Sequence, residues 1–109
     1  IITLDEYCKK NNIGNIDIIK IDTQGYEDKV LKGCSELIKN DKINLIQVEL
    51  IFADIYEKSL NFYDIERYLI PNNFRLFAIN NFGSLYNNYS WQTELIYVHK
   101  NLYNEYLNL

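Results

Sequence analysis

Methionine is absent from all 109 residues, position 1 included, and proline occurs only at Pro71. The chain is therefore expected to begin inside a longer protein or after processing. Glycine stands only at Gly14, Gly25, Gly33 and Gly83, which rules out a glycine-rich nucleotide loop within these residues. Histidine occurs once, at His99, with no serine or carboxylate near it in sequence, so no serine-histidine-acid arrangement is visible. Two cysteines, Cys8 and Cys34, have no metal-type spacing and read as reduced, buried thiols of a cytoplasmic protein. Basic residues number 11 against 15 acidic ones, a net charge of −4, and the lysines are scattered among acids. Nucleic acid is thereby excluded as an expected partner, because phosphate binding wants clustered cations. No apolar run nears the roughly 18 residues of a membrane span. The longest, 43–53, is broken by Asn44, Gln47 and Glu49.

What is present is a folded α/β pattern. Apolar residues make up 48% and aromatics 15%, enough for one domain with one modest core. Thr3 and Glu6 form the two ends of a capping box that opens a short helix. Ile16 to Ile21 is apolar on both parities, as in a strand covered on both faces. Tyr26, Val30, Leu31, Cys34, Leu37 and Ile38 recur at helical spacing, with Gly33 weakening the middle and admitting close packing on the sheet. Ile43 to Phe52 predicts a second strand, Ser59 a cap for a third helix, and Phe74 to Ile79 a third strand. Asn80 to Ser84 reads as a turn, and Thr93 to His99 as a last strand antiparallel to its predecessor.

The most telling stretch is Ile18-Ile19-Lys20-Ile21-Asp22-Thr23-Gln24-Gly25-Tyr26-Glu27. An apolar strand stops at an acid, crosses a polar turn and enters a helix. Open α/β sheets bind ligands at that carboxyl edge. Asp22 could orient a hydroxyl, accept its proton, or cap the next helix through amides near Gly25. Glu49, in an apolar strand, needs a partner to offset its burial; Lys20 on the neighbouring strand is one, and a shared Mg²⁺ with Asp22 is a less favoured one. Gln24 either contacts substrate or shapes the turn. Glu27, in the first helical turn, reads as structural, and His99 as a surface residue. Tyr86, Tyr89 and Trp91 read as core packing or loop anchoring before a substrate pocket.

Residues 17–27, with Thr3-Leu4-Asp5 before them and Val30-Leu31-Lys32-Gly33-Cys34 and Gln47-Val48-Glu49 after, resemble the FkbM family of methyltransferases. Gln24 stands where the family often has glutamate. The resemblance implies an S-adenosylmethionine-dependent O-methyltransferase acting on a hydroxyl of a saccharide or other polyhydroxylated metabolite. It implies a partial Rossmann-like sheet, strands four to seven with the last antiparallel, and makes residues 1–109 the C-terminal half of one domain. Asp22, Gln24 and Glu49 would be catalytic and Asp22 would also approach the cofactor, whose main binding motif is expected upstream of Ile1. The alternative is a noncatalytic binding or assembly module, self-associating through an exposed sheet edge.

Overall fold

Strands rich in isoleucine and leucine build a four-stranded sheet flanked by five α-helices among the described residues. The computed structural model describes residues 1–23, 25–51, 61–84 and 90–107. In chain order the elements are α1 (Leu4–Lys10), β1 (Ile16–Ile21), α2 (Glu27–Gly33), α3 (Ser35–Lys39) and β2 (Ile43–Ile51). There follow α4 (Phe62–Leu69), a 3₁₀ turn (Ile70–Asn72), β3 (Phe74–Ser84), β4 (Ser90–His99) and α5 (Lys100–Leu107).

The sheet order is β1-β2-β4-β3. β1 and β2 are parallel, and β4 runs antiparallel to both β2 and β3. The expected antiparallel β3–β4 pair is found, and β4 inserts between β2 and β3. Register puts Ile19, Ile46 and Tyr97 in one row and Ile21, Val48 and Leu95 in the next. Val48, Ile46 and Tyr97 are fully buried, in one cluster with Leu31, Cys34, Ile38, Ile65 and Leu69 of the helices. Burying a side chain of this size contributes about 1.5–3 kcal/mol.

The second face differs from expectation. Ile18 is 64% exposed, so β1 is not covered on both faces among the described residues. On that side α5 packs on β3 and β4, where Phe77 meets Tyr103 and Tyr106 edge-on.

Local chemistry explains the helix ends. Thr3 Oγ1 accepts from the Glu6 amide at 3.2 Å and Glu6 Oε2 from the Thr3 amide at 3.0 Å, the predicted capping box. Asp5 reaches across to accept from the amides of Glu36 and Leu37 at 2.9 and 3.0 Å, so α1 supplies the N-terminal acceptor that α3 lacks. The single helix predicted over 26–38 is two, broken at Gly33–Cys34. Gly33 faces Thr3, not the sheet, and a methyl there would meet it at an ordinary 3.5 Å. Asn61, not Ser59, caps α4 through the Asp64 amide at 2.8 Å; Ser59 lies outside the described residues. Asn80 to Ser84 is not a turn, because β3 continues through it with register shifts that absorb the irregular residues. Both cysteines are free and buried, as expected. Burial foremost, and the Asp5 charge next, push the Cys34 thiol up to about 12, so it stays protonated and inert.

Candidate functional site

At the carboxyl edge of β1 the backbone leaves the sheet immediately after buried Ile21, and Asp22 is exposed there. Ile21 pairs with Val48, so Asp22 stands one step on, level with Glu49 of β2. Glu49 pairs in turn with Glu94 of β4, and Glu94 with Asn80 of β3. One polar row thus crosses four strands. The two predicted acids, Asp22 and Glu49, are brought together at this edge.

Burial first, then the charges of Asp22, Glu27 and Glu94, raise the Glu49 carboxyl above its ordinary value of 4.5. The nearness of the Asp22 carboxyl acts in the same direction, because two adjacent carboxyl groups favour one keeping its proton. Lys20 is not the partner expected for Glu49. It is exposed opposite Gln47 and makes no ion pair with Glu49 among the described residues.

Glu27 takes the capping role considered for Asp22. It is only 4% exposed, and its carboxylate accepts from the Thr23 amide at 3.3 Å and the Gly25 amide at 3.1 Å. Gly25 has φ 102°, a left-handed conformation that suits glycine and turns its amide onto that carboxylate. The Glu27 charge also lies at the N-terminus of α2, where backbone dipoles favour it. Thr23 Oγ1 is buried beside this turn with no hydrogen-bond partner among the described residues. Gln24 lies outside the described residues, as do Tyr86 and Tyr89; Trp91 falls in β4.

Glu94 is the site residue that sequence reasoning missed. The signal was present as two matching tetrads, Val48-Glu49-Leu50-Ile51 and Thr93-Glu94-Leu95-Ile96. Each sets one acid in an apolar strand, and antiparallel pairing lays the two acids opposite each other.

His99 corrects another expectation. It is 4% exposed, and its Nε2 lies 2.8 Å from Asp41 Oδ1. Nδ1 accepts from the Asn101 amide at 3.2 Å, so the ring proton sits on Nε2 and is donated to Asp41. Asn73 Nδ2 also donates to Asp41 at 3.1 Å, and the two bonds hold the Asp41 carboxyl below its ordinary value. With both ring nitrogens engaged, this pair ties β4 to the turns at Asp41 and Asn73. It stands where β2 and β3 begin, at the opposite end of the sheet from Asp22. Tyr97 makes a comparable tie, its buried hydroxyl donating to Glu66 of α4 at 2.6 Å.

Two surface grooves lie elsewhere, one bounded by Asp5, Lys9 and Leu37 and one by Asp28, Lys32, Arg67 and Tyr68. No described helix is long and apolar enough to cross a membrane. No group of three His, Cys, Asp or Glu side chains among the described residues is arranged to hold a metal ion.

The methyltransferase FkbM domain family matches residues 1–76, a span that holds Asp22, Glu27 and Glu49 and ends at the third residue of β3. No curated protein and no solved structure matches the chain. With the match extending over more than half of its residues, the chain belongs to the FkbM family of methyltransferases.

Proposed function

We propose that the chain is the C-terminal half, residues 1–109, of an S-adenosylmethionine-dependent O-methyltransferase domain. Its acceptor would be a hydroxyl of a saccharide or another polyhydroxylated metabolite. The observation that carries the reading is the juxtaposition of Asp22 and Glu49 at the carboxyl edge of the sheet, set by the β1–β2 register and inside the family match. The order β1-β2-β4-β3 with β4 antiparallel supports reading these strands as four, five, seven and six of a Rossmann-like methyltransferase sheet. A cytoplasmic location accords with two buried free thiols.

The donor set suits one end of the cofactor. The charges acting on Glu49 among the described residues are carboxylates, and a cationic ligand relieves their mutual repulsion. Bound S-adenosylmethionine supplies an electrophilic methyl group on a cationic sulfonium. Its adenosine end wants a glycine-rich turn and a ribose-binding acid, which are proposed to lie upstream of Ile1. Asp22 is the base that accepts the acceptor hydroxyl's proton and holds that hydroxyl in line. Glu49, whose protonated form is favoured by the surrounding carboxylates, stands beside Asp22 and positions it. Gln24 completes the polar wall. Positioning and proton removal are the protein's main contributions to such a transfer.

Isothermal calorimetry of the full-length protein with S-adenosylmethionine, followed by transfer of labelled methyl to a panel of sugars and polyols, tests the proposal. Micromolar binding and labelled acceptor are expected. Absence of cofactor binding by the full-length protein overturns it. A second reading, a noncatalytic assembly module, is favoured by the open β1 edge with its exposed Ile18. It predicts self-association in sedimentation and no cofactor binding.

A further inference from the structure

The row of acids has a member beyond the residues that the family matches. Glu94 belongs to β4, eighteen residues past the end of that match, and pairs directly with Glu49. Asp22, Glu49 and Glu94 therefore come from three adjacent strands at one level, with Glu49 in the middle. Like charges set opposite each other across strands destabilise a sheet, so a row of this kind wants at least one proton. The middle member is the place where one proton relieves two repulsions at once. Glu27, seated against the Thr23 and Gly25 amides, adds a further negative charge from the α2 side. Lys20, on the same face, lies one row away opposite Gln47 and exposed, so it does not neutralise Glu49.

We infer that Glu94 is a positioning residue of the methyl-transfer site: its charge, opposite Glu49 across the β2–β4 pair, favours the protonated form of Glu49 beside Asp22 and leaves Asp22 the proton acceptor. Glu94 acts through Glu49, at one remove from the substrate. The inference rests on the methyltransferase reading above for its meaning, and on strand register for its geometry.

The test is a pair of substitutions in the full-length protein, Glu94→Gln and Glu94→Asp, followed by carbon-13 carboxyl NMR and by the pH profile of methyl transfer. In Glu94→Gln the Glu49 titration midpoint should fall by about half a pH unit or more, the direction expected when a neighbouring like charge is removed. Glu94→Asp, which keeps the charge, should hold the midpoint near that of the parent. The upper limb of the pH profile, where Glu49 would lose its proton, should move down with the midpoint, which a role in packing alone would not produce. An unchanged Glu49 midpoint in Glu94→Gln overturns the inference even if Asp22 proves essential. A shifted midpoint with an unmoved pH profile also overturns it. If the full-length protein binds no S-adenosylmethionine, the functional reading fails separately, and the titration alone reports on the carboxylate row.

Discussion

Replacing Glu27 by alanine should destabilise the protein far more than replacing Asp22, although Asp22 ends the strand and is the more conspicuous acid. Glu27 is buried and is the acceptor for two backbone amides, those of Thr23 and Gly25. An amide left without an acceptor costs about 1–3 kcal/mol, and these two are only partly buried, so the lower half of that range applies to each. The charge at the start of α2 contributes about 0.3–1 kcal/mol more. Glu27→Ala should then cost about 2–5 kcal/mol in all. At about 4 °C per kcal/mol for a domain of this size, the melting temperature should fall by roughly 9–20 °C. Glu27→Gln keeps one acceptor oxygen and should lose less than half of that. Asp22→Ala removes an exposed side chain that accepts neither turn amide and should lower the melting temperature much less than Glu27→Ala. Thermal unfolding followed by far-UV circular dichroism compares all three. A drop in Asp22→Ala with none in Glu27→Ala would show that the turn is capped by Asp22, and the division of labour argued here would be refuted.

Glu49 makes stability depend on pH in a fixed direction. Its carboxyl is raised in the folded state, so its favourable contribution is complete below the ordinary glutamate value of 4.5 and is lost as pH rises through the higher folded value. Glu49→Gln should therefore stabilise the protein at pH 7 and flatten melting temperature against pH across that window; a loss of stability at pH 7 would contradict the repulsive row. Asp41 has the opposite sign: its carboxyl is lowered by His99 and Asn73, so its contribution is present above the ordinary aspartate value of 3.8 and fades as pH falls through the folded value. In Asp41→Asn the acid limb of the same curve should shrink. Tyr97→Phe removes a 2.6 Å hydrogen bond to a carboxylate from a fully buried ring and should cost about 1.5–3 kcal/mol in urea unfolding, whereas a change within error would show that Glu66 finds water equally well.

Much of this was legible wherever local chemistry decides structure. The Thr3–Glu6 box, the strand over 16–21 and the strand-acid-turn at Asp22 follow from neighbours in sequence, and each was found in place. The site was half legible. Asp22 and Glu49 each stood out as an acid closing or interrupting an apolar run, but Glu94 acquires meaning only once register sets it against Glu49. The insertion of β4 between β2 and β3 is likewise a tertiary choice, with no local signature. His99 was misjudged because its partner Asp41 is distant in sequence, and burial of the ring depends on that partner. The helix over 100–107 was missed because two of its eight residues are asparagine and two are tyrosine, types with modest helical preference; its aromatic contacts with Phe77 offset that. The extension of β3 through Asn80–Ser84 defied its turn-like composition because β4 offers a long partner and the bulges accommodate the surplus residues.

The measurement closest to the central claim is methyl transfer by the full-length protein carrying Asp22→Asn, read beside its melting temperature. If Asp22 is the base at the carboxyl edge, turnover should fall by about 10²-fold or more, the usual contribution of a positioned general base, while folding is retained. Turnover equal to that of the parent protein would remove Asp22 from the chemistry and leave the carboxylate row without its proposed purpose.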